Sequence, residues 1–547
     1  LNLSSCNDLM ELPSGITNLI NLRHLIIKDC ARLSRLPASI GKLRKLRTLP
    51  IFVVGLTYGE SLIQLMHLDL RGELNIRHLE NVADEVQGWD AELLYKKLHS
   101  LRLAWGDDDE GKMNHHLPAQ AVRGHNHTIV ESLLENLCPN PSLRRLCVKE
   151  YPGNKFPQWM DAVTLPNLTE LDLINCSKCK SLPTLGQLPN LKVLTMQQMD
   201  AVVNIGHEFY GEGRERPFPK LNKLTFRNFP DLRTWESMDS TESFACLNRL
   251  TIIDCPSLTT MPRFPSLRHL ELRNCHTMIL RSAAELNSLF TLVIDILPEL
   301  LHLPQGLLQN NSSLMSLTIS SCPQLSSLPW DLRNLKALKS FAIRWCEELT
   351  TFPQGIRHLT CLESMEIMEC PNLISLPDEA MSGLCSLRSL SIENCYNLTS
   401  LPMGMKHLTA LENLTIMYCP NLAYIPNCLQ HLSALRSLNI LSCPELDSLP
   451  EGLQHVKMLQ NLEIRSCPRL VELPDWVENL VSLRSLAISD CQNVKSLPEG
   501  LQRLSAIQHL SIRDCPDLEG RCQKGNGEDW YKISHIPYIY IGSSASR

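Results

Sequence analysis

Nine cysteines, Cys322, Cys346, Cys370, Cys395, Cys419, Cys443, Cys467, Cys491 and Cys515, recur every 24 residues, with one step of 25. The segment LRSLNILSCPELDSLPEGLQHVKM, residues 435–458, shows the unit: Leu435, Leu438 and Ile440, then Cys443, then Leu446, Leu449 and Leu453. A unit this short cannot bury its own apolar face, so the copies must stack and share one continuous core. The period therefore overrides the three or four globular domains that 547 residues would otherwise suggest.

A fixed period of 20–29 residues with L-x-x-L-x-[LI]-x-x-[NC]-x-L is the leucine-rich-repeat signature. The expected fold is an α/β leucine-rich-repeat solenoid of about 21 repeats. A curved parallel sheet should line the concave face, with short helices, 3-10 turns and loops on the convex face. Hydrophobic residues make up 44% of the chain but aromatics only 5%, which suits thin rungs packed by Leu and Ile. In each L-x-L-x-I strand the Leu/Ile set faces the core and the intervening residues face outward. About 21 strands at ~4.8 Å spacing would expose an arc on the order of 100 Å, a surface scaled for a macromolecular partner.

Register divides the chain into five stretches: regular basic repeats at 1–50, irregular repeats with insertions at 51–165, repeats of uneven length at 166–310, regular repeats at 311–519, and a C-terminal cap or tail at 520–547. Apolar spacing predicts helices near Ala83–Lys97 and Thr128–Leu137. Gly106–His127 reads as an acidic surface loop and Gly206–Pro217 as a second insertion. The chain opens at Leu1 in mid-repeat without Met, so a fragment of a longer protein is expected.

Of the 22 cysteines, 14 occupy the same repeat position, which reads as reduced, packed thiols rather than a disulfide framework. That implies a reducing compartment, the cytoplasm, with the nucleus as a second location. No signal peptide and no apolar run long enough for a membrane span is present.

Several stretches outside the repeat carry a more specific resemblance. Arg71–Val82 (RGELNIRHLENV), Leu98–Asp109 (LHSLRLAWGDDD), Tyr151–Met160 (YPGNKFPQWM), Leu188–Gly211 and Glu528–Gly542 resemble the repeat portion of plant intracellular coiled-coil, nucleotide-binding, leucine-rich-repeat (CC-NB-LRR) disease resistance proteins. The resemblance implies a domain that perceives a pathogen effector, or a host protein the effector modifies. It also implies docking on an upstream nucleotide-binding module in cis. ADP or ATP would bind that module; the present sequence has no G-x-x-x-x-G-K-[ST] loop, so no cofactor is expected here. A substrate-recruiting subunit of a ubiquitin ligase and a stand-alone repeat scaffold are the alternatives, and the non-repeat segments speak against both.

Two candidate surfaces follow. Most outward positions after the core Ile are polar, but between Phe341 and Leu441 this column and its next neighbour include Arg344, Trp345, Met368, Met417, Tyr418 and Leu441. Aromatics, Met and Arg are enriched at interface centres. Residues 1–50 hold eight cations, Arg23, Lys28, Arg32, Arg35, Lys42, Arg44, Lys45 and Arg47, against three acidic residues, although the whole chain is at −6. Without aromatic interleaving or a nucleic-acid module, this edge is expected to meet an acidic protein surface rather than nucleic acid. Cys176 and Cys179 form a C-x-x-C with no second pair, and His407, His431 and His455 recur at the repeat spacing. Both sets are expected to be structural, with no metal site and no catalytic centre.

Overall fold

The computed structural model describes residues 1–30, 32–82, 91–106, 127–211, 216–237 and 243–542. The chain divides into two compact units, Leu1–Ser282 and Ala283–Arg547.

In the second unit the 24-residue period becomes spatial register. Eleven parallel strands follow one another from Thr291–Asp295 to Tyr538–Ile541. Equivalent residues stand directly opposite, so Leu390, Leu414, Leu438 and Leu462 form one buried column and Ile392, Ile416, Ile440 and Ile464 the next. Strands such as Asn413–Met417 and Ser437–Leu441 alternate half-buried or exposed with buried side chains. That two-residue alternation leaves one sheet face open while the other packs on the core.

The residue after each strand adopts a left-handed backbone, as at Trp345, Glu369, Asn394, Tyr418, Ser442, Ser466, Asp490 and Asp514. This reverses the chain and drops the next side chain, the repeat cysteine, into the core. The thiols of Cys346, Cys370, Cys395 and Cys419 each donate to the carbonyl two residues earlier at 3.4–3.5 Å. Burial pushes these thiols up, to about 11 at Cys370 and Cys419 and about 12 at Cys443 and Cys491. Every described cysteine is a free thiol.

The rung returns on the opposite side through a proline and a short 3-10 helix, as in Pro426 before Asn427–His431 and Pro450 before Glu451–His455. Proline suits that start because its missing N–H would have no intrahelical partner. Stacked 3-10 turns approach so closely that a Cβ on Gly452 would run into the Asn427 carbonyl.

The first unit has nine parallel strands in its main sheet, from Ile51–Val53 to His269–Cys275, and a small two-stranded sheet, Asn204–Ile205 with Thr234–Trp235. The core here departs from thin aliphatic rungs. Phe209, Tyr210, Phe218, Phe226, Trp235, Phe244 and Phe264 are buried and touch edge to face, tilted or stacked. Here rings supply much of the interior volume that Leu and Ile supply in the regular rungs. The Tyr151–Met160 segment is likewise a packing device. Tyr151 donates to the Lys155 carbonyl at 2.8 Å, and the Trp159 indole donates to Leu134 O at 2.9 Å.

Helix expectations divide. His127–Asn136 is helical, burying Val130, Leu133 and Leu134. The helix expected over Ala83–Lys97 fails in its described part: Leu93–Tyr95 is a 3-10 turn and Lys97 opens the strand Lys97–Ala104. Pairing of that strand with Arg71–Arg77 and Arg145–Lys149 outweighs the local apolar spacing. Residues 83–90 lie outside the described residues, as does most of the expected acidic loop at 107–126. Of the second insertion, His207–Tyr210 forms a short helix, and 212–215 lie outside the described residues.

The tail closes the second unit. Helices Pro516–Arg521 and Trp530–Ile533 lead into Tyr538–Ile541, which adds a further parallel strand beside His509–Arg513. Asp529, 1% exposed, holds the closure. Its carboxylate meets Arg521 at 3.1 Å and Lys532 at 3.0 Å, and accepts the Leu497 N–H at 2.9 Å.

Candidate partner-binding surface

The six residues of the first candidate surface all lie in the second unit, on two different rows. Arg344, Met368, Met417 and Leu441 occupy the last position of their strands and share one outward column, in the order Arg344, Met368, Glu393, Met417, Leu441. Each is half-buried. Arg344 is engaged within the fold: its Nε and Nη2 donate to the two carboxylate oxygens of Glu366, both at 2.6 Å. The hydrogen bonds to Glu366 push the guanidinium further up than its ordinary value, which holds the planar group against the sheet. Met368 and Met417 are separated by Glu393, whose carboxylate accepts the Ser391 hydroxyl at 2.6 Å. The column is therefore two short apolar patches with a carboxylate between them.

Trp345 and Tyr418 lie one residue further on, in the left-handed row at the strand exit rather than on the strand itself. They are 47% and 50% exposed, at φ values of 51° and 52°. Glu369 and Asn394 occupy the intervening rungs, so the two rings are three rungs apart and do not touch. A bulky side chain in this backbone region is unfavourable by about 1 kcal/mol, whereas the Asn, Asp or Ser of other rungs is tolerated. Ile296, at φ 54° and 41% exposed, belongs to the same class and escapes a reading that follows only the Cys-anchored rungs. Tyr396, one residue after Cys395, is also exposed but does not lie in the left-handed row.

The basic edge is partly neutralised from within. Lys28 meets Glu73 at 2.6 Å, Arg32 meets Asp8 at 3.0 Å, Arg35 meets Glu11 at 3.2 Å, and Arg47 meets Asp69. The Lys28 hydrogen bond holds the Glu73 carboxyl below its ordinary range. Lys45 donates to the Asn21 side chain at 2.7 Å. Among the described residues Arg23, Lys42, Arg44 and Lys45 have no ion-pair partner, and these carry the uncompensated charge.

Cys176 and Cys179 are fully buried, and the Cys179 thiol donates to Gly153 O at 3.2 Å. His407, His431 and His455 are exposed at the ends of successive 3-10 turns. Among the described residues no group of three or more His, Cys, Asp or Glu is arranged to hold a metal ion, and no helix is long and apolar enough to cross a membrane.

Comparison with known proteins agrees with this geometry. The family model for R13L1/DRL21 leucine-rich repeats matches residues 62–199 and 445–515. Putative disease resistance protein RGA1 of Solanum bulbocastanum is 32% identical over 301 residues, covering 55% of this chain and 29% of that protein. Putative disease resistance RPP13-like protein 1 of Arabidopsis thaliana is 32% identical over 236 residues, covering 41% of this chain and 22% of that protein. The chain thus spans less than a third of the length of these curated relatives. Among solved structures, a leucine-rich-repeat protein of Leptospira interrogans superposes with a TM-score of 0.52 at 22% identity, covering 74% of this chain and 91% of that one. Toll, in the Drosophila Toll–Spatzle complex, gives 0.52 at 15% identity, covering 85% and 61%; both likenesses concern the fold alone. Over the matched stretches the chain is similar to the leucine-rich-repeat region of plant disease resistance proteins, and its repeat register agrees with that likeness.

Proposed function

We propose that this chain is the recognition and autoinhibitory repeat region of an intracellular plant immune receptor, sensing a pathogen effector or an effector-modified host protein and triggering defence. The observation that carries this reading is the placement of Trp345 and Tyr418, large and half exposed, at a backbone position where a small polar residue suffices. With Met368, Met417 and Leu441 they supply the side-chain types that dominate interface energetics. The work is binding rather than catalysis, and the partner is a protein rather than nucleic acid. The buried, protonated thiols suit the reducing cytoplasm or nucleus. ADP or ATP would be held by a nucleotide-binding module in cis, on which the first repeats dock through Arg23, Lys42, Arg44 and Lys45.

Full-length receptor carrying Trp345→Ala with Met417→Ala should accumulate normally in leaf tissue yet lose its response to the recognised pathogen strain. A wild-type response from the double variant refutes the patch. Arg44→Glu with Lys45→Glu should release a defence response without any pathogen; a silent resting state refutes docking through this edge.

A further inference from the structure

Beside the open face, the strand exits of the second unit form a trough built from two rows at the repeat spacing. One row is Tyr418, Ser442, Ser466 and Asp490; the other is Tyr396, Pro420, Pro444, Pro468 and Gln492. The buried cysteines Cys419, Cys443, Cys467 and Cys491 lie between the rows in sequence. The trough encloses about 430 Å³ and runs across five rungs, or ~19 Å at the ~4.8 Å strand spacing.

Its two ends differ chemically. Tyr396 and Tyr418 stand at one end, and neither hydroxyl makes a hydrogen bond among the described residues. At the other end Asp490 is the single ionised group of the lining. The Ser466 hydroxyl donates to one of its carboxylate oxygens at 2.9 Å, and among the described residues no cation pairs with it. Between the ends lie small serines and flat proline rings.

The backbone of this row is already committed. The N–H groups of Tyr418, Ser442, Ser466 and Asp490 donate to the Leu441, Arg465, Ser489 and Arg513 carbonyls of the next rung. An incoming strand would find no free N–H ladder here, and an α-helix keeps its own carbonyls in internal hydrogen bonds and could not offer them to the tyrosine hydroxyls. A polyproline II segment meets both conditions. It has no internal hydrogen bonds, so its carbonyls are open to tyrosine hydroxyls, and it docks on aromatic and proline surfaces. Its turn of three residues advances ~9.3 Å, close to the ~9.6 Å of two rungs. Residues i and i+3 would therefore meet equivalent sites two rungs apart, and about six residues fill the length.

We propose that this trough docks a proline-rich segment of a partner protein in the polyproline II conformation, its prolines at the Tyr396–Tyr418 end and a basic residue at Asp490. The inference rests on the reading of these rungs as a recognition surface and names the chemistry of the partner.

The test is fluorescence anisotropy of the full chain with labelled hexaproline peptides bearing arginine at either terminus or none. Saturable binding is expected for an arginine-bearing peptide, weakened about tenfold by Tyr396→Ala and by Tyr418→Asn, the latter chosen because Asn tolerates the left-handed backbone. Asp490→Asn should weaken the arginine peptide about fivefold and leave the uncharged peptide unchanged. Equal binding of a Gly/Ser peptide of the same charge overturns the proposal, as does full affinity in Tyr396→Ala. Self-association of the chain that the same variants abolish would assign the trough to a second copy and also overturn it. Peptide failure alongside loss of pathogen response in the Trp345 variant would refute the trough alone.

Discussion

Asp529→Ala removes the centre of the closure that ends the repeat array. In the wild type its carboxylate is shared among Arg521, Lys532 and the Leu497 N–H, and Lys532 also donates to Leu497 O at 2.7 Å. Breaking a buried ion pair by deleting one partner costs about 3–5 kcal/mol, because the remaining charge stays buried and uncompensated. Here Lys532 keeps Glu499 at 3.2 Å, which places the expected cost at the low end, about 3 kcal/mol. Because each rung contacts only its neighbours, that loss should stay local. Hydrogen exchange read by mass spectrometry should quicken about a hundredfold in peptides covering 497–541 and stay unchanged in peptides from 311–440. The pH dependence has a definite sign. Burial alone would raise the Asp529 carboxyl, but Arg521, the Leu497 N–H and Lys532 outweigh it and hold it below its ordinary value. Its contribution is therefore present above the unfolded value of about 3.9 and lost as pH falls through the lower folded value. Burial lowers Lys532, but Asp529 and Glu499 raise it further, so its contribution is present below about 10.4 and lost as pH rises through the raised folded value. Protection of the tail, corrected for intrinsic exchange, should thus be flat between about pH 5 and 9. A loss of protection near pH 6, or faster exchange spread evenly along the second unit, would refute this account.

Three further outcomes are expected. A thiol reagent at pH 8 should modify Cys6, Cys246, Cys361 and Cys385, which are exposed, and more slowly Cys138 and Cys147; rapid reaction of Cys443 or Cys491 would contradict the buried row. Gly452→Ala should destabilise the array by about 1–3 kcal/mol through the clash with the Asn427 carbonyl, whereas Gly15→Ala, which meets open space, should not; equal urea midpoints for the two variants would refute the close approach. Glu369→Asn should stabilise by about 1 kcal/mol by relieving a left-handed Glu at φ 54°, and an unchanged urea midpoint would argue against strain in that row.

The 24-residue offset made the register legible: Leu414 opposite Leu438 and Ile416 opposite Ile440 are the same letters one period apart. The same offset could have exposed the weakness of the basic edge. Arg32 and Asp8, and Arg35 and Glu11, stand 24 residues apart and meet across adjacent rungs, as Arg388 and Glu412 do in the second unit. Counting charges within residues 1–50 misses the further neutralisation of Lys28 by Glu73 and of Arg47 by Asp69, since those carboxylates lie beyond that stretch. The position before the cysteine held a similar signal. Asp29, Asn175, Asn274, Asn394 and Asp490 are residue types that tolerate a left-handed backbone, so Trp345 and Tyr418 belong to the turn and not to the strand. What no periodicity could give is the filling of the irregular rungs. The stack of Phe218 on Phe244 and the bond from the Trp235 indole to the Tyr210 hydroxyl join residues about one period apart, but the period says only that such pairs stand on neighbouring rungs, not that rings fill them.

In a stacked array, every position in the unit generates a row, and the row's most frequent residue reports what the backbone prefers there. Departures from that residue then separate into two kinds. Phe341 in a column of Leu is buried and touches Phe352, so packing accounts for it. Tyr418 in a row of Asn, Asp and Ser is half exposed, makes no ring contact among the described residues, and occupies a backbone region that disfavours it by about 1 kcal/mol. No hydrogen bond or ring contact among the described residues offsets that cost, so a further contact is sought outside the chain, and the direction of inference runs from the outlier to the function. The same argument predicts a dissociation in Tyr418→Asn. The variant should keep or raise its urea midpoint while losing affinity for the hexaproline–arginine peptide. If stability fell together with binding, the tyrosine would be serving the fold, and the trough would lose its main support.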